Sequence, residues 1–327
     1  MHKTRVGVLR GGPSAEYEVS LNSGAGVLRA LRENFDHQYD VKDILIDKNG
    51  QWHLEGLTVR PEKAINRIDV AFNALHGTYG EDGKIQHLLE SHHIPFTGSG
   101  SLGSAVGMNK ILSKKRFMEH GLKTPHGKYI EVNDMLGDSD ELVHEIHTSC
   151  MIPAVVKPVS SGSSVGVSVV RSKSDILQAI MDAVEHDNSI IIEEYIPGVE
   201  ATCGVVENFR DHELYALPPI EIRHKKIFFD YEAKYRGQSE EIVPATFSNS
   251  VKMEIEEMAK EIHRSLGLRH YSRSDFIIHP KRGIYVLEVN TLPGLTEESL
   301  LPKALRAIGS SLHEFVDHLI RMAMRGR

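Results

Sequence analysis

The stretch Arg273-Ser274-Asp275-Phe276-Ile277-Ile278-His279-Pro280-Lys281-Arg282-Gly283-Ile284-Tyr285-Val286-Leu287-Glu288-Val289-Asn290 decides how this chain is read. Two runs rich in β-branched and aromatic residues flank a Pro/Gly turn, the pattern of a β-hairpin. Side chains alternate between the faces of a strand, so Arg273 and Asp275 share one face, as do Glu288 and Asn290. The expected pairing sets Asp275 opposite Glu288 and Arg273 opposite Asn290. The other face then carries Phe276, Ile278, Tyr285, Leu287 and Val289, an apolar set suited to a core. Two carboxylates, an amide and a guanidinium on one sheet face admit two readings. One is a solvated face with two salt bridges. The other is a magnesium and phosphate site. The register carries the second reading, since a slip of one residue would scatter these groups over both faces.

Outward from the hairpin lie segments that gain meaning only together. The exit, Asn290-Thr-Leu-Pro-Gly294-Leu-Thr-Glu-Glu-Ser299-Leu300, contains a glycine whose N–H could meet an oxyanion, although such a loop is also plain turn chemistry. Lys157-Pro-Val-Ser-Ser-Gly-Ser-Ser-Val-Gly166 is a Gly/Ser loop between two strand-like runs. Its backbone N–H groups and hydroxyls could cradle phosphate oxygens. It lacks the Gly-Lys-Ser/Thr ending and following helix of a P-loop, and a simple flexible hairpin is the plain alternative. Glu193 and Glu194 end the strand-like run 190–194, with Glu200 six residues beyond Glu194, at a junction of the kind that holds a base and a ribose. Taken singly, each acid is equally a solvated strand end. The long charged loop 223–245 includes Asp230-Tyr-Glu-Ala-Lys234-Tyr235, and aromatic residues beside Lys234 favour a lid over an anion.

The N-terminal hundred residues read as an α/β layer: strands over 6–9, 41–46, 70–73 and 94–97, and helices over 19–31 and 83–91. The first strand runs into Arg10-Gly-Gly-Pro-Ser-Ala-Glu16, where the glycine fingerprint of a dinucleotide fold is absent. Glu16 would repel a pyrophosphate and suits an ammonium ligand, unless it is an ordinary acid of a first helical turn. His76-Gly-Thr-Tyr-Gly-Glu-Asp-Gly83 follows the third strand, where open α/β sheets place ligands. Helices are expected over 109–120, 173–185, 251–266 and 311–324, and strands over 154–157, 165–170 and 190–194. Domain boundaries fall near Thr97-Gly-Ser-Gly-Ser-Leu-Gly103 and Tyr195-Ile-Pro-Gly198.

With 327 residues and a net charge of −7 the chain has room for two or three domains and shows no basic tract for nucleic acid. Lys and Arg gather at Lys110-Ile-Leu-Ser-Lys-Lys-Arg116, the start of a helix. Cys150 and Cys203 have no metal or redox spacing. No run is apolar enough for a membrane span, and a cytoplasmic enzyme is expected.

The pieces GGPSAEYEVSLNSG, HGTYGEDGKIQHLLE, KPVSSGSSVG, DYEAKY, RSDF and LEVNTLPGLTEESLLP, in this order across residues 11–302, closely resemble the D-alanine–D-alanine ligases of the ATP-grasp superfamily. The resemblance implies α/β and α+β architecture in three domains: an N-terminal parallel-sheet domain (1–98), a central ATP-grasp domain (99–195) and a C-terminal catalytic domain with a lid (196–327). ATP would lie between the second and third. Lys110 and Lys157 resemble phosphate-binding lysines, Glu193 the adenine-amino contact, Glu200 the ribose contact, and Lys234 a lid group reaching the phosphates. Asp275, Glu288 and Asn290 resemble the ligands of two Mg²⁺ (or Mn²⁺). Glu16 resembles the group holding the first D-alanine's ammonium, with His76 near that subsite and Ser163 and Tyr235 linked to Glu16 by hydrogen bonds. Arg273, Gly294, Ser299 and Leu300 correspond to the surroundings of the second D-alanine and the tetrahedral intermediate. Three positions depart from the pattern: Asn109 where Asp is common, Glu194 where some relatives have Lys, and His87 where Gly is frequent. The activity implied is ATP-dependent ligation of two D-alanines through a D-alanyl phosphate, serving peptidoglycan precursor synthesis, in a homodimer. A D-serine or D-lactate ligase and a non-catalytic nucleotide-binding relative are the alternatives. Tyr235 argues against the D-lactate type.

Overall fold

The structure, a computed structural model, describes residues 3–131, 148, 152–163, 165–224 and 239–325. Its first layer holds β1 (Thr4–Gly11), α1 (Tyr17–Asn34), β2 (Tyr39–Ile46), β3 (Trp52–Leu54), β4 (Leu57–Val59), α2 (Pro61–Ile65), β5 (Val70–Asn73) and α3 (Lys84–Ser91). The five strands run in the order β4-β3-β2-β1-β5, with β1 parallel to both β2 and β5. Val6, Val8, Leu9 and all of β5 are buried, as expected of parallel strands covered on both faces. Gly24 lets α1 lie close on β1, since a Cβ there would stand 2.5 Å from the Cβ of Arg10.

Residues 94–97 do not form the expected strand. Ala71 N–H donates to Pro95 and Thr97 N–H to Ala71, which amounts to one parallel bridge at Phe96. Pro95 has no N–H to extend the ladder.

Next come α4 (Ser101–Met108), α5 (Lys110–Glu119), β6 (Gly127–Glu131), β7 (Ala154–Pro158), β8 (Ser168–Val170), α6 (Ile176–Val184) and β9 (Ser189–Glu194). A 3-10 turn, Lys173–Asp175, leads into α6. The sheet β6-β9-β7-β8 is antiparallel throughout. Asn109 caps α5 by accepting the N–H groups of Ile111 and Leu112, both at 3.0 Å. The amide therefore does the work an aspartate would do there.

The third sheet has β10 (Val199–Phe209), β11 (His212–Ala216), β12 (Ile220–His224), β13 (Ser239–Ile242), β14 (Tyr271–His279) and β15 (Gly283–Asn290), in the order β13-β12-β10-β14-β15 with β11 also on β10. Helix α7 (Asn249–Ser265) covers it, and α8 (Leu300–Ala307) and α9 (Leu312–Arg325) complete the chain. The expected loop 223–245 is thus partly sheet, because β12 and β13 pair with each other. Leu305, Phe315 and Leu319 share one core with Val8, Val27 and Phe72, so the C-terminal helices close the first layer's open face. Among the described residues no helix is long and apolar enough to cross a membrane.

The hairpin pairs Arg273 with Asn290 and Asp275 with Glu288, the pairing expected. The register then shifts, and Phe276 lies opposite Val286. Leu287 is the extra residue of a β-bulge, and an extra residue reverses the parity of everything beyond it. Val286 and Ile284 therefore join Phe276 and Val289 in the core, where Leu287 and Tyr285 were expected. Tyr285 is buried as expected, but opposite Ile277 and beneath Lys123 and Arg282, whose cations stand 5.2 and 5.0 Å from its ring centre.

Candidate active site

A cavity of about 590 Å³ opens between the second and third sheets. Val155, Val169, Ile196, Ile222 and the bulged Leu287 give it apolar walls. Lys110, Lys157, Glu193, Glu200, Arg273, Asp275, Glu288 and Leu300 also line it. A smaller chamber adjoins it, walled by Glu16, Gly77, Glu81, Gly162, Glu288 and Asn290. Lys110, Ser161 and Glu288 belong to the walls of both spaces.

The hairpin face is an organised polar platform. Arg273 donates from Nε and Nη2 to the two oxygens of Asp275, each at 3.0 Å. Thr202 on β10 donates to Asp275 at 2.6 Å, and the Asn290 amide at 3.3 Å. The salt-bridge reading is thus met for Arg273 and Asp275. It leaves Glu288 toward the cavity, with Lys110 Nζ 3.6 Å from it. Lys110 also donates to the carbonyl of Ser161 at 2.6 Å, fastening the Gly/Ser loop to the platform. Among the described residues no group of three or more His, Cys, Asp or Glu side chains is arranged for a metal. Two carboxylates and one amide oxygen suit a hard cation that takes its remaining ligands from phosphate and water, and do not suit a closed zinc site.

Glu193 sits at the cavity floor, 2 % exposed. Lys114 Nζ lies 2.6 Å from its Oε1 and Lys157 Nζ 2.7 Å from its Oε2. Burial opposes the Glu193 charge, but the two ammonium groups outweigh it and hold its pKa below the usual value. Burial pushes Lys114 down to about 8, against the pull of Glu193. Burial also lowers Lys110, opposed chiefly by Glu288. Lys157 is pulled the other way: Glu193 and Glu288 overcome its desolvation and raise it.

In the smaller chamber Glu16 faces the Gly/Ser loop. Its carboxylate pKa is raised by burial, opposed by the neighbouring Ser163 hydroxyl and the charge of Arg273. A Cβ on Gly162 would stand 2.9 Å from the Glu16 carboxylate, so glycine there admits the close approach. Glu81 meets it from the other wall and accepts the N–H of Gly77 at 3.0 Å. Burial, then the charge of Glu16, pushes Glu81 up to about 8.

His76 is buried behind this chamber. It donates from Nδ1 to the Leu292 carbonyl at 2.9 Å and accepts from Ser23 at Nε2, 2.8 Å away, a tautomer assigned from the network. Burial lowers it to about 4, so it is neutral and acts as a brace for the exit loop. In that loop Ser299 Oγ would stand 2.8 Å from a Cβ on Gly294, which brings these two predicted residues together. Lys234 and Tyr235 lie outside the described residues.

Three residues escaped the sequence reading: Lys114, Glu81 and Thr202. Glu81 lies in the motif that contains His76, and its place in a loop after a parallel strand was the available signal. Lys114 looked like one member of a solvated run, and Thr202 like any strand threonine. Of the departures, His87 is exposed on α3 and Glu194 is paired with Arg282 of the hairpin turn at 2.8 Å.

Two sheets closing on an elongated cavity, with buried lysines facing a carboxylate platform, define a nucleotide-dependent ligase of the ATP-grasp class. The family model described as D-ala D-ala ligase C-terminus matches residues 116–321, and that described as D-ala D-ala ligase N-terminus matches 5–64 and 55–99. The chain belongs to the D-alanine–D-alanine ligase family. It is 39 % identical to the D-alanine–D-alanine ligase of Carboxydothermus hydrogenoformans, over 99 % of both chains. It is 42 % identical to that of Syntrophobacter fumaroxidans, over 98 % of both. The VanG D-Ala:D-Ser ligase of Enterococcus faecalis is similar in structure, with a TM-score of 0.84 and 31 % identity over 98 % of this chain and 100 % of that one.

Proposed function

We propose that this chain joins two D-alanines at the expense of ATP, with the residues above in the following roles. The observation that carries the reading is the shared wall: Lys110 and Glu288 line both the large cavity and the small chamber. A nucleotide in the first would there present its terminal phosphate to a carboxylate in the second.

The apolar walls suit a base, Glu200 a ribose, and Lys110 and Lys157 the phosphates. Glu16 takes the ammonium of the first D-alanine and thereby directs its carboxylate to the shared wall. One carboxylate oxygen attacks the γ-phosphorus, the bond to the β-phosphate oxygen breaks, and ADP leaves. The reacting groups are both anionic, so cations must surround them. Asp275, Glu288 and Asn290 would hold two Mg²⁺ or Mn²⁺, which when bound offset phosphate charge. Water must be kept from the acyl phosphate. The second D-alanine's amine attacks the acyl carbon, next to Ser299 and Leu300. Asp275 engages Nε and Nη2 of Arg273 but not Nη1, so Nη1 and the Gly294 N–H can take the oxyanion. Phosphate then departs with the bonding pair, and the amine gives up a proton.

Phosphate release with ATP and Mg²⁺ is the test, first with D-alanine alone. D-alanine-dependent release with a dipeptide product is expected, and its absence would overturn the reading. Likeness to a D-Ala:D-Ser ligase favours a second arm with D-alanine and D-serine, and D-lactate makes a third. Preferential formation of a mixed product would reassign the second subsite. The same proposal includes division into 1–98, 99–195 and 196–327, a cytoplasmic setting and a homodimer, the last read by sedimentation.

A further inference from the structure

Lys157 has two claims on it. It lines the large cavity, where the proposed reading gives it a phosphate. Its ammonium also rests on Glu193 at 2.7 Å, and that carboxylate is almost wholly enclosed. Leaving a buried carboxylate without a counterion is strongly unfavourable. A lysine that is the sole partner of such a group cannot turn away from it cheaply.

Lys114 removes this obstacle. It lies on the same carboxylate at 2.6 Å and is itself 4 % exposed. Its ammonium donates to Thr124 Oγ1 at 2.8 Å, which ties it to the segment between α5 and β6. The described residues lining the cavity include Lys110 and Lys157 but not Lys114. Lys114 therefore neutralises Glu193 from behind and does not compete for a ligand. Its alignment agrees with this. Lys114 aims at Thr124, and no hydrogen bond is well aligned on Glu193 Oε1, so the 2.6 Å contact holds that oxygen by charge.

We propose that Lys114 is a positioning residue of the nucleotide site: by holding the charge of Glu193 it allows Lys157 to leave that carboxylate for a nucleotide phosphate. The proposal rests on the reading of Lys157 as a phosphate ligand. With Lys114 in place, Glu193 keeps one cation throughout, and Lys157 exchanges one anion for another. Without Lys114, Lys157 is pinned to Glu193.

Calorimetric titration with ADP and, separately, with adenosine, both with Mg²⁺, tests this. Wild-type protein should bind ADP more tightly than adenosine; equal binding would sink the phosphate reading and this inference with it. Given that preference, K114M should weaken ADP by about tenfold or more and adenosine by less than about twofold, because the phosphate contact alone is lost. K114R keeps the charge and should stay near wild type. The double variant K114M/E193Q removes the carboxylate that pins Lys157, so its preference for ADP over adenosine should exceed that of K114M. If K114M does not fold, the double variant carries the test, and its ADP-over-adenosine preference should match wild type. Unchanged ADP binding in K114M, equal weakening of ADP and adenosine, or loss of the preference in the double variant would each overturn the proposal.

Discussion

Asp275 and Glu193 are both carboxylates held by cations on the wall of one cavity, and they are built in different ways. Asp275 takes its guanidinium from two residues back on its own strand and a hydroxyl from the neighbouring strand, and its side chain is 21 % exposed. Glu193 takes one lysine from α5 and another from β7, and all three are enclosed. The Arg273–Asp275 part of the first arrangement is local to one strand. The second exists only when three elements have docked. A charge on the hairpin can be exchanged at the cavity surface, whereas a charge in the cluster is bound into the packing of the second sheet against α5.

Mutations should separate the two regions by what they damage. Glu288→Gln on the hairpin should lower D-alanine-dependent phosphate release by on the order of 10³-fold, since it removes charge where the phosphate reacts. The melting temperature should move little. A near-normal rate would break the assignment of the platform. Glu193→Ala should do the reverse to the fold. It strands Lys114 and Lys157 in a buried site and should cost roughly 3–5 kcal/mol in urea unfolding. Asp275→Asn, which keeps shape and most hydrogen bonds, should cost only about 1 kcal/mol. Similar losses of stability for both would erase the contrast.

Buried histidines extend the comparison to pH. Burial lowers both His76 and His270 to about 4. Their unfolded forms titrate near 6.5, so between these values the unfolded chain binds more protons. The stability they lend is present above about pH 6.5 and is lost as pH falls toward 4. Each contributes at most roughly 3 kcal/mol to that loss. Replacing His76 with Gln, which can still donate to the Leu292 carbonyl, should flatten the acid limb of urea stability over this window. An unchanged limb would show that His76 is not held neutral.

Legibility in the sequence follows the same division. Strand alternation was enough to put Arg273 with Asp275 and Glu288 with Asn290, because period two is a local property. It does not show the bulge at Leu287, which brings the two pairs onto one face and leaves no residue signature here. Lys114 was illegible for a different reason. Its partners are 10 and 79 positions away, and nothing in a run of lysines marks which one points inward. The bulge has its own check: Val286→Ala should cost about 2 kcal/mol of stability, and Leu287→Ala should instead weaken ATP binding with little effect on unfolding. Equal stability losses would restore the regular register.

The smallest expected effect lies at the rim that joins the two regions. Arg282, in the hairpin turn, donates from Nη2 to both oxygens of Glu194 at 3.0 and 2.8 Å, and Glu194 ends the strand that carries Glu193. The guanidinium also lies over Tyr285. The pair thus ties the platform's turn to the cluster's strand across the mouth of the cavity. One guanidinium nitrogen serves both carboxylate oxygens, but Arg282 is 42 % exposed, so water screens the charge and the side chain gives up entropy to hold its place. Arg282→Ala should therefore raise the KM for ATP by less than about threefold and leave kcat and the KM values for D-alanine unchanged. A much larger rise would mean that the rim, and not the buried cluster, holds the two sheets around the nucleotide.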